Sequence, residues 1–293
     1  MRHIKLFISS FLLVLLLSTS IPGYAEIKIG VLAPRGKLKA IKRWQNFGIY
    51  MSEKLGDTVT IIPLPPVDVI STIKSGEVDF ILTNPVHTAQ IVKMHNGKTL
   101  ATLNKSAGPF FAGVIISKKG SGIEQAEDLS GKSVMSLKFK TAAGAYTFQT
   151  YHLHVKGINP HKDFSSMRSG KKQDDLVLAV KAGVIDAAFI RSGILESMSR
   201  ENKIKMDEFI IVDKQKSDKL KLAHSTRLYP EWYLTALENT DSEISDRTKK
   251  FVLALTPQHP AAISARINGF VEPISLNEIV VALTALKIKP FDQ

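Results

Sequence analysis

The sequence predicts a two-lobed α/β fold with a cleft between the lobes. In residues 73–85 a helix ends at Gly76, a short apolar strand follows, and polar residues lead into a new helix. Residues 180–192 repeat this step closely, with a glycine and an aspartate at matching places. Strand and helix patterns also alternate regularly over residues 26–85, which favours parallel strands. We therefore expect two similar lobes, each a mostly parallel sheet flanked by helices.

Composition limits the class of protein. The chain has 293 residues, 44% of them hydrophobic, which is enough for one large domain or two smaller ones. A formal net charge of +12 favours anionic partners through the long-range field. Nucleic acid is not expected, because the sequence contains no recognisable nucleic-acid-binding motif. The chain has no cysteine, which excludes disulfides and thiolate metal sites.

The N-terminus is typical of a secretory leader. Basic residues precede an apolar run over residues 6–17, and a Gly-Tyr-Ala sequence ends at Ala25. We expect cleavage after Ala25 and a free protein in a Gram-negative periplasm. An uncleaved N-terminal anchor is the alternative, although the apolar run is short for a membrane span.

The elements of the first lobe follow from hydrophobic periodicity. Strands are predicted at 26–32, 58–64, 78–82 and 100–104, and helices at 38–55 and 67–74. The longer helix has apolar residues at helical spacing, and we interpret its Trp44 as a core residue. A strand over 110–117 is predicted to cross to the second lobe.

The second lobe is predicted to repeat this organisation. We expect strands at 133–137, 164–168, 186–190 and 209–213, and helices at 124–129, 141–155, 174–182 and 193–199. The chain is expected to cross back over 220–226, with helices at 242–256, 260–268 and 276–286. The predicted boundaries are 1–25 for the leader, 26–112 and 222–293 for lobe 1, and 113–221 for lobe 2. Tyr229 and Trp232 are interpreted either as packing near the hinge or as part of the cleft wall.

Several segments carry a family resemblance. They are Gly30–Pro34 with the helix around Trp44, residues 76–85, Asp128–Val134 and Gly183–Ala188. In this order they resemble periplasmic solute-binding proteins of the phosphate/phosphite/phosphonate type, which have the type II periplasmic binding fold. Residues 190–196 and 225–232 are similar to a branch that serves as the sensing domain of tetrathionate-type sensor kinases.

The loop over residues 138–144 is the first candidate site. It follows a predicted strand and opens a predicted helix, whose N-terminal N–H groups and dipole suit an anion. Thr141 could cap the helix or donate to a ligand, and Gly144 would leave room for an oxyanion. Phosphonate binders of the family usually carry serine and threonine here, so alanines depart from that pattern. An ordinary capped helix is the alternative. The candidate residues are Lys138, Lys140, Thr141, Ala142, Ala143 and Gly144.

Two further candidates follow the repeated strands. Ligands of open α/β sheets collect beyond the carboxyl ends of strands, where Thr83 and Asn84 lie in one lobe and Arg191 and Ser192 in the other. A guanidinium there could bind an oxyanion in a bidentate manner. The alternatives are a simple Asn-Pro turn and a surface arginine.

Arg35 and Gln173 complete the candidate set. Arg35 lies in the first strand–helix loop, which should reach the cleft. Gln173 falls where phosphonate-binding relatives often have histidine, which disfavours a phosphonate ligand. The acids and glycines of the repeated step, by contrast, are interpreted as structural: Gly76, Asp79, Gly183 and Asp186.

Catalysis and metal binding have little support in the sequence. His152 and His154 are two residues apart and would face different sides of a helix, and His161 does not complete a ligand set. Neither Gly-x-Ser-x-Gly nor His-Glu-x-x-His occurs. We expect no enzyme activity and no cofactor.

The resemblance implies a monomeric binding protein that closes around a small anionic ligand. It would deliver that ligand to an ABC transporter permease; the alternative is a sensing component that acts with a membrane histidine kinase. Replacing Arg191 with alanine is expected to abolish ligand binding without changing the melting temperature of the unliganded protein.

Overall fold

A computed structural model describes residues 26–293. The strands are β1 Ile27–Leu32, β2 Val59–Leu64, β3 Phe80–Thr83, β4 Lys98–Leu103, β5 Phe110–Phe111, β6 Gly113–Lys118, β7 Ser133–Ser136, β8 Ser166–Ser169, β9 Ala187–Arg191, β10 Phe209–Val212, β11 Tyr229–Pro230, β12 Tyr233–Ala236 and β13 Phe270–Val271. The helices are α1 Lys37–Leu55, α2 Val69–Lys74, α3 Pro85–His95, α4 Phe148–Val155, α5 Pro160–Asp163, α6 Gln173–Lys181, α7 Ile194–Arg200, α8 Ser242–Leu253, α9 Pro260–Ala265 and α10 Asn277–Ala285. The predicted leader lies outside the described residues.

The strands form two main sheets, which confirms the two-lobed α/β fold. The first lobe has a six-stranded sheet in the order β13-β4-β12-β3-β1-β2, and the second a five-stranded sheet in the order β10-β6-β9-β7-β8. A two-stranded ribbon of β11 and β5 lies outside both sheets. None of the helices within residues 26–293 is long and apolar enough to cross a membrane.

Both main sheets are mixed rather than mostly parallel. Three strands run parallel in each, β2-β1-β3 and β8-β7-β9, as the alternating pattern predicted. The remaining pairs are antiparallel. The strands that follow the crossings, β6 and β12, run opposite to the parallel strands beside them. Strands β12 and β13, which the sequence analysis missed, belong to this antiparallel part.

Helix α1 shows how periodicity builds the first lobe. Its buried positions include Ala40, Trp44, Phe47, Met51 and Leu55, spaced three or four residues apart. This spacing places them on one face, which packs against the sheet together with α8 and α9. Trp44 is buried in that core, as predicted. Burial of each large side chain contributes roughly 1.5–3 kcal/mol.

The strands of the second lobe are covered on both faces. Alternate residues of β6 and β9 point to different clusters: Val114 and Ile190 pack with α6 and α7. Ile115 and Phe189 pack instead with Leu153 of α4 and the short 3₁₀ turn at Ala126–Leu129. Because both faces of these strands are buried, their sequences are almost continuously apolar.

The repeated step is scaffold in both lobes. Gly76 and Gly183 follow helices and have positive φ values of 69° and 72°. The carboxylates of Asp79 and Asp186 each accept a backbone N–H of a neighbouring strand at 2.7 Å. Each aspartate therefore fixes the register of its strand beside the next, which confirms the structural interpretation of all four residues.

The crossings between the lobes differ from the predicted ones. The single strand expected at 110–117 is two strands, and Ala112 separates β5 in the ribbon from β6 in the second sheet. The expected return at 220–226 contains no strand, because its Ser225 and Thr226 side chains accept N–H groups of β6 instead. The return strand is β11, which pairs with β5. The boundaries at 112 and 221 stay a prediction.

Aromatic packing consolidates the two crossings. Tyr229 of β11 is fully buried and stacks on Phe148 of α4, with ring centroids 3.7 Å apart. Both rings belong to a cluster that also contains Phe111, Ile279 and Leu283, so α10 packs over the crossings. Of the two interpretations of Tyr229, the structure therefore supports packing near the hinge.

Candidate functional site

Charged side chains from both lobes meet at one carboxylate. Glu231 lies between β11 and β12, and its side chain is only 2% exposed. One of its oxygens, Oε1, accepts a hydrogen bond of 2.7 Å from Nη2 of Arg191 and lies 3.0 Å from Nζ of Lys105. Its other oxygen is buried and accepts no hydrogen bond from residues 26–293. This group is the strongest candidate for a binding site.

Arg191 is held in place from several directions. It is the last residue of β9, and its backbone N–H donates to the side-chain oxygen of Gln173 at 2.6 Å. Its guanidinium lies 4.7 Å from the centroid of the Phe111 ring, a cation–π contact. Arg191 is 23% exposed, so it can also reach solvent or a ligand. Gln173 thus positions Arg191, and its own contact with a ligand stays a prediction.

Lys105 and Arg43 add charge from the first lobe. Lys105 follows the end of β4 and is 20% exposed. Arg43 lies on α1, donates to the carbonyl of Ala265 at 2.8 Å and lies 5.0 Å from the Trp44 ring centroid. The charges of Arg191 and Glu231 both act on Arg43. We refer to Arg43, Lys105, Arg191 and Glu231 as the charged cluster.

Burial shifts the titration of the charged cluster. Desolvation, reinforced by Arg191 and Arg43, lowers the pKa of Lys105 to about 7, although Glu231 acts in the opposite direction. Desolvation and the charge of Arg191 lower the pKa of Arg43 to about 10. Burial alone would raise the pKa of Glu231, but Arg191 and Lys105 outweigh that effect and hold it below its usual range. Glu231 therefore stays ionised, whereas Lys105 loses its proton near neutral pH.

Thr83 and Asn84 form a buried helix cap. The Asn84 side-chain oxygen accepts the N–H groups of Val86 and His87, which is the turn interpretation of this Asn-Pro sequence. The Thr83 hydroxyl lies 3.2 Å from Nδ1 of His87. Desolvation, helped by the nearby charge of Lys138, lowers the pKa of His87 to about 4.

Asn84 also joins the two lobes. Its side-chain nitrogen donates to the carbonyl of Thr141 across the cleft at 3.3 Å. Arg35 and Asp174 form a second link, an exposed ion pair of 3.8 Å between the first strand–helix loop and α6. Both contacts lie where the two lobes meet, and they involve residues that the sequence predicted to bind a ligand. Contact of these residues with a ligand stays a prediction.

The predicted helix start at Thr141 is wrong. Residues Ala143–Thr147 form a π turn with non-helical backbone at Ala145, and the regular helix begins at Phe148. The Thr141 side chain caps no helix in this turn. The backbone of Lys140 has a positive φ of 65°, and both Lys138 and Lys140 are exposed. Ala142 lies directly before this turn and Ala143 is its first residue. Contact of residues 138–144 with a ligand stays a prediction.

Gly144 has a packing role that the sequence analysis did not foresee. A Cβ atom at this position would lie 2.7 Å from a ring carbon of Phe111 and 3.1 Å from Cβ of Arg191. The glycine therefore lets the ring and the arginine stem approach the turn. Close packing against Phe111 and Arg191 is therefore sufficient to explain a glycine at this position.

Ser192 is a structural residue. It is 3% exposed, and its hydroxyl accepts the backbone N–H of Ala112 at 3.1 Å. Its own N–H donates to the carbonyl of Ala112 at 2.9 Å. Both groups anchor the crossing between the lobes, and contact of Ser192 with a ligand stays a prediction.

The histidines make ordinary contacts. His152 lies 2.7 Å from a carboxylate oxygen of Asp213, and His161 lies 2.8 Å from the hydroxyl of Tyr146. Within residues 26–293 no cluster of three or more histidine or acidic side chains could hold a metal ion.

Lys105, Arg43 and Glu231 were missed by the sequence analysis. Lys105 could have been found by the rule that singled out Arg191, since it follows the end of a strand at the same edge of its sheet. Glu231 lies inside the segment 225–232 that was noted for its resemblance. Two surface depressions, one beside Ser52 and one beside Ile62, share no residue with the charged cluster.

A sequence model of the family described as "ABC transporter, phosphonate, periplasmic substrate-binding protein" matches residues 29–275. The chain belongs to this family. The resemblance to phosphonate-type binding proteins is thereby confirmed. The family consists of periplasmic substrate-binding proteins rather than enzymes, so the prediction that the chain is not an enzyme is also confirmed.

One similar protein of known function is a sensor kinase. The tetrathionate sensor histidine kinase TtrS of Salmonella typhimurium is 30% identical over 268 residues, which cover 89% of this chain and 44% of the kinase. The chain thus spans less than half of that relative's length. The segments noted for their similarity to tetrathionate-type sensors lie in the part that the two proteins share.

Solved structures share the fold. PhnD1 from Prochlorococcus marinus, in complex with methylphosphonate, has a TM-score of 0.70 at 15% identity and covers 89% of this chain and 98% of its own. A Xanthomonas citri protein bound to ATP has a TM-score of 0.73 at 13% identity and covers 92% and 99%. At these identities the likeness establishes the type II binding fold alone.

Proposed function

We propose that this chain is a periplasmic receptor that captures a small oxyanion between its lobes. The observation that carries the proposal is the meeting of Lys105 from the first lobe with Arg191 from the second, on one buried carboxylate. Cations that approach from both sides of a cleft suit an anion that both lobes must hold. Family membership supplies the periplasmic, substrate-binding role.

The geometry suits a tetrahedral or sulfur oxyanion. Arg191 uses one nitrogen on Glu231, and its guanidinium has further N–H donors that can bind two oxygens side by side. Lys105 supplies a point charge that can turn towards either Glu231 or a ligand. Ala142 and Ala143 stand where phosphonate binders of the family usually have hydroxyl side chains. This difference favours sulfur oxyanions or organic acids as much as phosphonates.

Hinge closure is the proposed working motion. The lobes are joined by the paired crossings β5 and β11, and rotation about them would open and close the cleft beside Lys105 and Arg191. The contacts of Asn84 with Thr141 and of Arg35 with Asp174, which are formed in this structure, would break when the lobes open.

The membrane partner is the second part of the proposal. Delivery to an ABC transporter permease is the first candidate role, and the family description supports it. Sensing is the second candidate, and it is favoured by the 30% identity to the ligand-sensing part of a tetrathionate sensor kinase. If the chain is a sensing component, a membrane histidine kinase would recognise its ligand-bound form. We further propose that the mature protein is a monomer that begins at Glu26.

Uptake and signalling assays on a deletion strain separate the two roles. Loss of uptake of a labelled oxyanion, restored by the wild-type gene, supports delivery to a transporter. Normal uptake together with a lost transcriptional response to that oxyanion supports sensing. A variant with Arg191→Ala should fail to restore either activity, and an exposed-site variant such as Lys98→Met should restore it fully. If Arg191→Ala restores activity as well as wild type does, the site is elsewhere.

A further inference from the structure

His87 is a buried histidine at the edge of the cleft. It lies in the first turn of α3, just after the carboxyl end of β3, where ligands of open α/β sheets collect. The residue is only 1% exposed. Asn84, three positions earlier, reaches the carbonyl of Thr141 in the second lobe. The ring therefore lies close to the place where the two lobes meet.

The hydrogen bonds of Asn84 decide which ring nitrogen of His87 carries the proton. The Asn84 side-chain oxygen accepts the N–H groups of Val86 and His87, so its nitrogen Nδ2 is the end of the amide that faces the ring. Nδ2 lies 3.3 Å from Nδ1 of His87 and can only donate. Nδ1 must therefore accept, and the Thr83 hydroxyl, 3.2 Å away, can donate to the same nitrogen. The proton of the neutral ring is then on Nε2.

Nε2 of His87 is a donor without a partner. Both hydrogen bonds that residues 26–293 make with the ring are at Nδ1. Nε2 is not sealed inside the protein either: in this part of the chain, Nε2 of His95 is a fully buried nitrogen without a partner, whereas Nε2 of His87 is not. Buried polar groups nearly always have a hydrogen-bond partner. An unpaired N–H that solvent can reach at the cleft is therefore available to a ligand.

The surroundings of the His87 ring favour an acceptor with negative charge. Lys138, an exposed residue of the loop in the second lobe, is the charged group that acts on the ring among the described residues. Burial and this positive charge lower the pKa of His87 to about 4, so the ring is neutral at physiological pH. A ligand ammonium would meet an N–H group and be repelled by Lys138, whereas an oxyanion oxygen would be attracted by both.

We propose that His87 is a ligand-binding residue whose Nε2–H group donates a hydrogen bond to an oxygen of the captured anion. This inference rests on the proposed function and adds a contact from the first lobe, at a point of the cleft where the ligand must present an acceptor. The donor is neutral, so the contact adds no charge to the cleft. Its strength should stay constant between about pH 5.5 and 8, because the ring does not titrate in that range.

Two substitutions separate ligand binding by His87 from its structural role. His87→Gln and His87→Phe both remove the acceptor that Asn84 and Thr83 use, so both should lower the melting temperature by similar amounts. Glutamine can place an amide N–H near the position of Nε2, whereas phenylalanine fills the space without a donor. A merely structural residue would give equal ligand affinities in the two variants.

Calorimetric titration of the full-length mature protein measures these affinities. The probes are tetrathionate, thiosulfate, methylphosphonate and succinate. For the probe that the wild type binds most tightly, we expect His87→Gln to stay within about threefold of wild type and His87→Phe to bind at least about tenfold more weakly, the effect of losing one hydrogen bond to a charged group. His154→Phe, at an exposed position of α4, is the matched control and should bind as wild type does.

Nuclear magnetic resonance of the ¹⁵N-labelled wild type tests the donor without any substitution in the protein observed. Long-range ¹H–¹⁵N spectra distinguish the two neutral tautomers and the imidazolium, and comparison with His87→Gln assigns the signals. We expect a neutral ring protonated at Nε2 at pH 6, with and without the probe. The Nε2 resonance should shift when the probe binds.

Three outcomes overturn this proposal while leaving the proposed function intact. They are wild-type affinity in His87→Phe, equal affinities of His87→Phe and His87→Gln, and a ring that is protonated at Nδ1 or whose Nε2 resonance does not respond to a bound probe. Failure of every oxyanion to bind the wild type would instead overturn the proposed function, and the role of His87 with it.

Discussion

Arg191, the last residue of a strand in the second lobe, donates a hydrogen bond of 2.7 Å to the buried carboxylate of Glu231, on the segment that returns to the first lobe. The two residues are 40 positions apart, and no local sequence pattern links them. This pair makes Arg191 a structural residue as well as a candidate ligand contact. The sequence led us to expect an unchanged melting temperature for unliganded Arg191→Ala. Because of this ion pair, we now expect a lower one.

Replacing Arg191 with alanine should destabilise the unliganded protein as well as abolish anion binding. The variant leaves Glu231 buried with Lys105 as its partner, and breaking a buried pair in this way costs about 3 kcal/mol. Denaturant unfolding at pH 7 measures the change. The double variant with Glu231→Gln should recover part of the lost stability, but not binding. Unchanged stability of the single variant would mean that the ion pair does not persist in solution.

Replacing Gly144 with alanine should displace Arg191. The new methyl group would meet the Phe111 ring at 2.7 Å and Cβ of Arg191 at 3.1 Å, and overpacking of this kind costs about 1–3 kcal/mol. We expect a lower melting temperature and at least tenfold weaker oxyanion binding. Adding Phe111→Leu should restore part of the stability by making room for the methyl group. Normal stability and binding in Gly144→Ala would show that the turn is looser than the structure indicates.

Gln149 should be one of the most sensitive uncharged positions. It is fully buried, and its side-chain nitrogen donates to the carbonyls of Val114, Gly144 and Ile190 at 2.8–3.2 Å. Gln149→Leu leaves these carbonyls without that donor, at a cost of about 2–3 kcal/mol. Gln45→Leu, at an exposed position of α1, is the control and should be nearly neutral. Equal stability of the two variants in urea would contradict a structural role for Gln149.

Lys105 should make folding stability depend on pH in the alkaline range. Its pKa is about 7 in the folded protein and near 10.5 when unfolded, so the unfolded chain binds more protons between these values. Stability from this group therefore rises as the pH increases from 7 to 10.5, and its cost is fully present below pH 7. The stability of Lys105→Met relative to wild type should be highest below pH 7 and should decrease towards pH 10.

Urea unfolding of both proteins across this range measures that difference, with Lys98→Met as the control for loss of a lysine. A constant difference between Lys105→Met and wild type would show that Lys105 keeps an ordinary pKa in the folded state.

The sequence predicted those features that depend on local pattern. The spacing of apolar residues gave helix α1, and the glycine and aspartate of the repeated step gave the two lobes, because both depend on neighbouring residues. Arg191 was found because ligand residues of α/β folds lie beyond strand ends. The turn at Ala143–Thr147 differs from the predicted helix start, because its shape depends on distant residues, the ring of Phe111 and the stem of Arg191.

The remaining members of the site escaped prediction for the same physical reason. Glu231 is separated from Lys105 by 126 positions in the sequence, and only the folded crossings bring them to 3.0 Å. A basic residue on an amphipathic helix, such as Arg43, is ordinarily solvated, so its partial burial could not be foreseen. Long-range contacts, rather than composition or periodicity, assemble the charged cluster.

Oxyanion capture at the charged cluster is tested most directly by the thermal shift of the wild-type mature protein with a panel of solutes. The panel contains methylphosphonate, phosphite, tetrathionate, thiosulfate, a sulfonate and a dicarboxylate, with neutral sugars, arginine and histidine as the comparison. We predict that at least one oxyanion raises the melting temperature, by the equivalent of about 2.7 kcal/mol at one hundred times its dissociation constant. We also predict that sugars and the amino acids have no effect. Stabilisation by sugars, arginine or histidine and by none of the oxyanions would contradict oxyanion capture at the charged cluster.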